Sequence, residues 1–243
     1  MQGFIEGLVA SFTKTFITDN RWLQLLNGLG VTIMITIVAA AIGLVLGFLI
    51  AMVRSTYEMR LSGRKCRNAG DVILKILNLI CNIYITVIRG TPVVIQLMIM
   101  YFIIFASSRN GIIAAFLSFG LNSGAYVAEI FRSGIMSIDR GQFEASRSIG
   151  FNYSQTMIFI ILPQAFKNIL PALGNEFIVL VKETSVAGYV ALQDLTYVGN
   201  LIRSRTYEAF FPLITVALIY LIIVLLLTFL QKKLERRLRN SDH

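Results

Sequence analysis

Three glutamates fall inside long apolar stretches: Glu129, Glu176 and Glu183. An ionised carboxylate is costly in hydrocarbon, so each acid must pair with a cation, relay a proton or face a polar route. Asn122, Tyr126 and Glu129 are spaced i, i+4, i+7 and share one helical face. Glu176 and Glu183 lie seven apart and share another, with Asn175 beside the first. Carboxylates suit an ammonium group and amides suit a carboxylate, so the set suits a zwitterion. The alternative for each acid is an ion pair with Arg89, Arg132 or Lys182 that holds a helix bundle together. Hydrolytic and metal chemistry have no support. There is no H-E-x-x-H, no G-x-S-x-G and no paired-Asp motif. The single histidine, His243, cannot build a metal cluster with Cys66 and Cys81. No G-x-x-x-x-G-K-[ST] phosphate loop is present. The chain is therefore expected to have no catalytic residues, no ATPase site, no metal and no cofactor of its own.

A second feature is polar and sits between apolar runs. From Gly141 the chain reads GQFEASRSIGFNYSQTMIFIILP. Asp139 can cap a helix start, and Glu144 falls in the first turns, where the helix dipole favours an acid. Gly150 can take the left-handed conformation that ends a helix. A polar helix trapped between two spans must lie at the membrane surface, within reach of a soluble partner. Ala145 and Ser146 are small enough for close approach, and Glu144 offers a charge to a basic surface.

The elements that position these residues follow from composition. Of the 243 residues, 56% are hydrophobic and only 14% charged, against about a quarter charged in soluble domains. The chain is read as an all-α integral membrane protein with a single domain over residues 1–243. The net charge of +9 does not indicate nucleic acid, because the cations flank apolar runs, where they set topology. Phe4, Ile5, Leu8, Val9, Phe12 and Phe16 line one face of an interfacial amphipathic helix at 4–18. A five-span core at 23–232 follows, with spans expected near 23–53, 92–106, 111–135, 156–181 and 210–230. Asp71–Thr86, which carries Lys75, is read as a helix lying along the membrane surface. Ser107–Asn110 is read as a turn, and 182–206 as a polar excursion. Pro163, Pro171 and Gly174 predict a bend or break in the fourth span. Fourteen Lys and Arg lie on one side, including Arg54, Arg60 and the 232–239 tail, against five on the other. That places the N-terminus outside and residues 137–153 and the C-terminus in the cytoplasm. Cys66 and Cys81 are then expected to stay reduced. No cleavable leader and no internal repeat are evident.

Glu144-Ala145-Ser146, three residues, Gly150, nine residues, Ile160, one residue, Leu162-Pro163 resembles the EAA signature of ABC importer permeases, with Ser146 where the consensus has Ala. Val87-Ile88-Arg89-Gly90-Thr91-Pro92 with Gln96-Leu97 resembles the second-span entry of polar amino-acid permeases. Residues 123–132 (SGAYVAEIFR), Pro163-Gln164-Ala165, 170–176 (LPALGNE) and Lys182-Glu183-Thr184-Ser185 resemble the same branch. The match covers residues 27 to about 200 and is to the His/Glu/Gln/Arg/opine branch of type I importer permeases. The resemblance implies a multi-pass protein of the bacterial cytoplasmic membrane and a permease dimer. It also implies two separate ABC ATPase subunits and an extracytoplasmic amino-acid-binding protein. The dimer is read as two copies of this chain, with a related second chain as the alternative. Gln142, Glu144, Ala145, Ser146 and Gly150 would couple to the ATPase. Gln96, Asn122, Tyr126, Glu129, Asn175, Glu176 and Glu183 would line the translocation path. The competing reading is a proton-coupled carrier or channel that uses the three intramembrane acids as relays.

Overall fold

The computed structural model describes residues 2–63, 65–107 and 111–240, which form helices and turns with no strand among them. The helices are α1 Gln2–Phe12, α2 Arg21–Arg60, α3 Ala69–Gly90, α4 Val93–Ile99 and α5 Gly111–Met136. They continue with α6 Arg140–Ser148, α7 Tyr153–Thr156, α8 Leu162–Glu183, α9 Leu195–Thr206 and α10 Phe210–Asn240. Five helical stretches among the described residues are long and apolar enough to cross a membrane. They are Val9–Arg60, Ala69–Gly90, Gly111–Met136, Tyr153–Val190 and Phe210–Arg237.

Asp19 and Asn20 take φ of 55° and 50°. Such short polar residues tolerate the left-handed region, and the reversal separates the N-terminal helix from α2. Phe12 and Phe16 pack with ring centroids 4.7 Å apart and planes tilted by 50°, and each meets Phe211 edge-on. The side chains of Phe4, Ile5 and Leu8, part of the expected apolar face, lie outside the described residues, as does most of the turn expected at 107–110.

Three expectations are corrected. The surface helix at Asp71–Thr86 is part of one 22-residue helix, α3, that runs to Gly90. At 1.5 Å per residue it is about 33 Å long, enough to cross a bilayer. A single lysine near its start does not forbid this, because a long side chain can reach back to water. The span expected after Pro92 is only the 12-residue apolar stretch Val93–Ile104, about 18 Å long and too short to cross alone. The polar excursion read at 182–206 holds a tight helical turn at Thr184–Val190 and then α9. Finally, α8 runs unbroken through Pro171 and Gly174. The Pro163 ring would press on the carbonyl of residue 159. The wider winding of Met157–Ile161 takes up that distortion one turn earlier.

Packing divides the chain into two units. One comprises Met1–Ala39, Val93–Phe119 and Ile178–Phe229. Its core is Leu25, Leu195, Val198, Ile202 and Val216. The backbone N–H of Leu195 donates to Thr32 Oγ1 at 3.1 Å, fixing the start of α9 against α2. The other unit comprises Ala40–Pro92, Gly120–Phe177 and Leu230–His243. Its core gathers Ala51, Val127, Phe131, Ile135, Met157, Ile161, Ala165 and Ile169. Close approach of helices depends on missing side chains. A Cβ at Gly47 would stand 2.5 Å from Val127 Cγ1, and one at Gly134 would stand 2.3 Å from Ile169 Cγ1. Helix α5 is the most enclosed span, with 67% of its apolar window buried, against 6% for α3 and for α10.

Candidate functional site

Helix α6 is built as its sequence predicts. Asp139 Oδ1 accepts from the Gly141 N–H at 2.6 Å, which satisfies an orphan donor of the first turn. Gly150 takes φ 95°, and its N–H donates to the Arg147 carbonyl at 3.1 Å. A reciprocal cap opens α7: Asn152 Oδ1 accepts from the Gln155 N–H, and Gln155 Oε1 from the Asn152 N–H, each at 2.9 Å. Two sharp turns thus bracket a short polar helix between apolar spans. Gln142, Glu144, Ala145 and Gly150 are exposed. Ser146 is not: it is buried, with its hydroxyl 2.8 Å from the Phe143 carbonyl and 3.0 Å from Thr156 Oγ1. Ser146 is therefore an anchor that ties α6 to α7. Phe143 adds an edge-on contact with Tyr153, centroids 5.8 Å apart.

The intramembrane acids have separate fates. A cleft of about 500 Å³ in the second unit is lined by Arg89, Tyr126, Glu129, Arg132, Asn168 and Glu176 among others. The last turn of α3 carries Arg89, whose guanidinium lies 5.1 Å from the centre of the Tyr126 ring. Ser123 donates its hydroxyl to Glu176 Oε1 at 2.9 Å. Glu129 is held on both oxygens, one by Arg54 and the other by Arg132 Nη2 at 3.2 Å. Arg132 Nη1 also reaches Glu58 at 3.3 Å. The chain Arg54–Glu129–Arg132–Glu58 balances its charges and ties α2 to α5. Glu129 thus lines the cleft and is also ion-paired, the alternative that its sequence left open.

Tyr126 and Glu176 both line this cleft. Asn122 is buried and outside the lining of the cleft, and Asn175 is exposed outside it. Gln96 and Glu183 belong to the other unit, both half-buried. Sequence reasoning overlooked Arg54, Glu58, Ser123 and Asn168. The i, i+4 spacing of Arg54 and Glu58 on α2 is the signal that finds the first two. It also overlooked Asp194, buried at the start of α9, which accepts from the Thr196 and Tyr197 N–H groups at 3.0 and 3.1 Å. Burial raises the Asp194 carboxyl to about 6 despite those bonds.

Among the described residues no group of His, Cys, Asp and Glu is placed to hold a metal ion. Residues 70–240 match the family model described as "Binding-protein-dependent transport system inner membrane component". The chain is 39% identical over 222 residues to the arginine transport system permease protein ArtQ of Bacillus subtilis (strain 168), covering 90% of this chain and 94% of that one. It is 33% identical over 225 residues to the L-cystine transport system permease protein TcyB of the same organism, covering 91% and 89%. A solved structure of an amino acid ABC transporter superposes with a TM-score of 0.77 at 38% identity, covering 88% of this chain and 94% of that one. With most of its length matched and its five apolar helices in place, the chain belongs to the family of binding-protein-dependent transport system inner membrane components.

Proposed function

We propose that this chain is the permease subunit of an ATP-driven importer of polar amino acids in the bacterial cytoplasmic membrane, with its N-terminus outside and its C-terminus in the cytoplasm. The observation that carries the reading is α6, a nine-residue polar helix capped at Asp139, stopped at Gly150 and set between apolar spans. Its Gln142, Glu144 and Ala145 are bare. Separate ATPase subunits grip this helix and pass their movement through α7 into the next span. The chain contributes no ATPase site and needs no cofactor. Residues 1–243 act as one permease domain, with 4–18 at the interface and 137–153 as the coupling region. Relatives named for arginine and for cystine support the amino-acid class. The particular substrate is selected by the extracytoplasmic binding protein.

The cleft supports passage of a zwitterion. Glu176 faces the ammonium, and Arg89, stacked on Tyr126, faces the carboxylate. Asn122 and Asn175 of this unit, and Gln96 and Glu183 of the other, are further candidates for polar contact with the substrate. Polar groups facing lipid would cost several kcal/mol each, so a second permease chain encloses them, by preference another copy of this one. Glu129 serves this route by holding α5 in place.

The test is uptake into proteoliposomes that contain the permease, its ATPase and the binding protein. Labelled amino acid should accumulate only with ATP, and a protonophore should leave uptake unchanged. Uptake that collapses with the proton gradient while ATP persists would assign a proton-coupled carrier instead.

A further inference from the structure

A cleft of about 1250 Å³ in the second unit lies where α2 ends and α3 begins. Arg60, Lys65, Arg67 and Arg147 line it, against one carboxylate, Asp71. Elsewhere Arg21, Arg54 and Arg132 each hold a carboxylate. Among the described residues none of these four cations does. Two of them are already oriented. The Arg60 guanidinium lies 5.1 Å from the centre of the Tyr153 ring, and Arg147 Nη1 donates to the Phe151 carbonyl at 3.0 Å. Unpaired cations held together repel one another, and an anion relieves that cost. A fixed guanidinium fork fits the oxygens of a phosphate.

An apolar track leads away from this cleft. Asp71, on its rim, sits in the first turn of α3. From there Val72, Ile76, Ile80, Ile83 and Val87 run along one side of the helix, each roughly half exposed. Arg60 closes α2 just beyond its apolar run, at the depth where cations meet headgroups. We propose that the ends of α2 and α3 seat an anionic phospholipid. Its phosphate is held by Arg60, Lys65, Arg67 and Arg147, and its acyl chains lie along the bare side of α3. An acidic protein surface would match the charge but would leave the adjoining apolar track unused.

Full-length permease in non-ionic detergent, titrated with phosphatidylglycerol or phosphatidylcholine and read by native mass spectrometry, tests this. The wild type should retain phosphatidylglycerol in preference. Lys65→Gln with Arg67→Gln, on the exposed connection between α2 and α3, should weaken that retention on the order of thirtyfold, since each cation near an anionic headgroup contributes about fivefold. Lys232→Gln with Lys233→Gln removes the same charge from α10, away from the cleft, and should change retention little. Equal loss in both double variants would overturn the site in favour of diffuse attraction. Displacement of the lipid by glycerol phosphate at equal concentration would overturn the α3 track. No lipid preference, with loss of ATPase co-purification in the Lys65/Arg67 variant, would make the cleft a protein contact and reject the lipid.

Discussion

Glu129 Oε2 accepts from Arg132 Nη2 at 3.2 Å while Arg54 holds the other oxygen, so both oxygens of this intramembrane acid are engaged by guanidinium groups. Removing the carboxylate leaves two guanidinium groups without their shared partner. Glu129→Gln should therefore lower the thermal stability of the purified complex by about 1–3 kcal/mol, a buried-pair penalty reduced by partial exposure. Substrate preference among amino acids should stay as in the wild type. A shifted preference with unchanged melting would return Glu129 to the transport route.

The Ser146–Thr156 contact makes a different prediction. Ser146→Ala removes one hydrogen bond and should cost about 1 kcal/mol, with ATPase co-purification retained. Ser146→Leu must place two extra heavy atoms in a buried position and should cost about 1–3 kcal/mol. It should also tilt α6 enough to weaken ATPase retention. Equal retention by the Leu variant would mean that the anchor does not set the pose of α6.

Glu144→Lys alters only an exposed side chain, so insertion and folding should be intact. Gly150→Arg forces a side chain into φ 95° and should cost about 1–2 kcal/mol locally. Both variants should reach the membrane at wild-type levels yet lose uptake through loss of ATPase docking. Normal uptake with normal ATPase co-purification in both would remove α6 from coupling.

Much of this was legible in the sequence, for reasons particular residues make plain. Asp139 and Gly150 are local signals whose action needs only neighbouring backbone, and both act as read. The acids were harder to read. Glu129 and Glu176 look alike in sequence, and the guanidinium that pins Glu129, Arg54, lies 75 positions away. Ser146 reads as a small surface residue because its partner, Thr156, lies beyond two turns. Lys75 concealed a span because one charge was weighed above the apolar residues around it. Leu195, Val198 and Ile202, at helical spacing after Asp194, are the signal for α9 that the reading of a polar excursion passed over. The surrounding polar residues masked that pattern.

Asp194 predicts a pH dependence. Its carboxyl is raised to about 6 by burial, above the ordinary value near 4. The protonated form is thus favoured in the fold. The stabilisation is fully present below pH 4 and is lost as the pH rises through 6, a change of up to about 3 kcal/mol. Asp194→Asn keeps an acceptor for the α9 cap and removes the titrating group. Melting of the purified wild type should fall between pH 4 and 7 more steeply than melting of the Asn variant. Parallel pH profiles for the two proteins would show that Asp194 does not titrate in this range.

Glu176 carries the last prediction. It lines the cleft with Arg89 and Tyr126, and Ser123 donates to it at 2.9 Å. Glu176→Gln keeps an acceptor for Ser123 and nearly the same volume, so the complex should assemble and hydrolyse ATP at its basal rate. What disappears is a negative charge toward an ammonium group, an interaction of about 1.5–3 kcal/mol when hydrogen-bonded. Uptake should fall roughly tenfold to a hundredfold, most for substrates that carry a second cation. The comparison is transport of each amino acid that the binding protein accepts, with Ser123→Ala alongside. If Glu176 merely braces α5 against α8, the Ala variant should destabilise the complex as the Gln variant does, and both should transport every substrate in wild-type proportion.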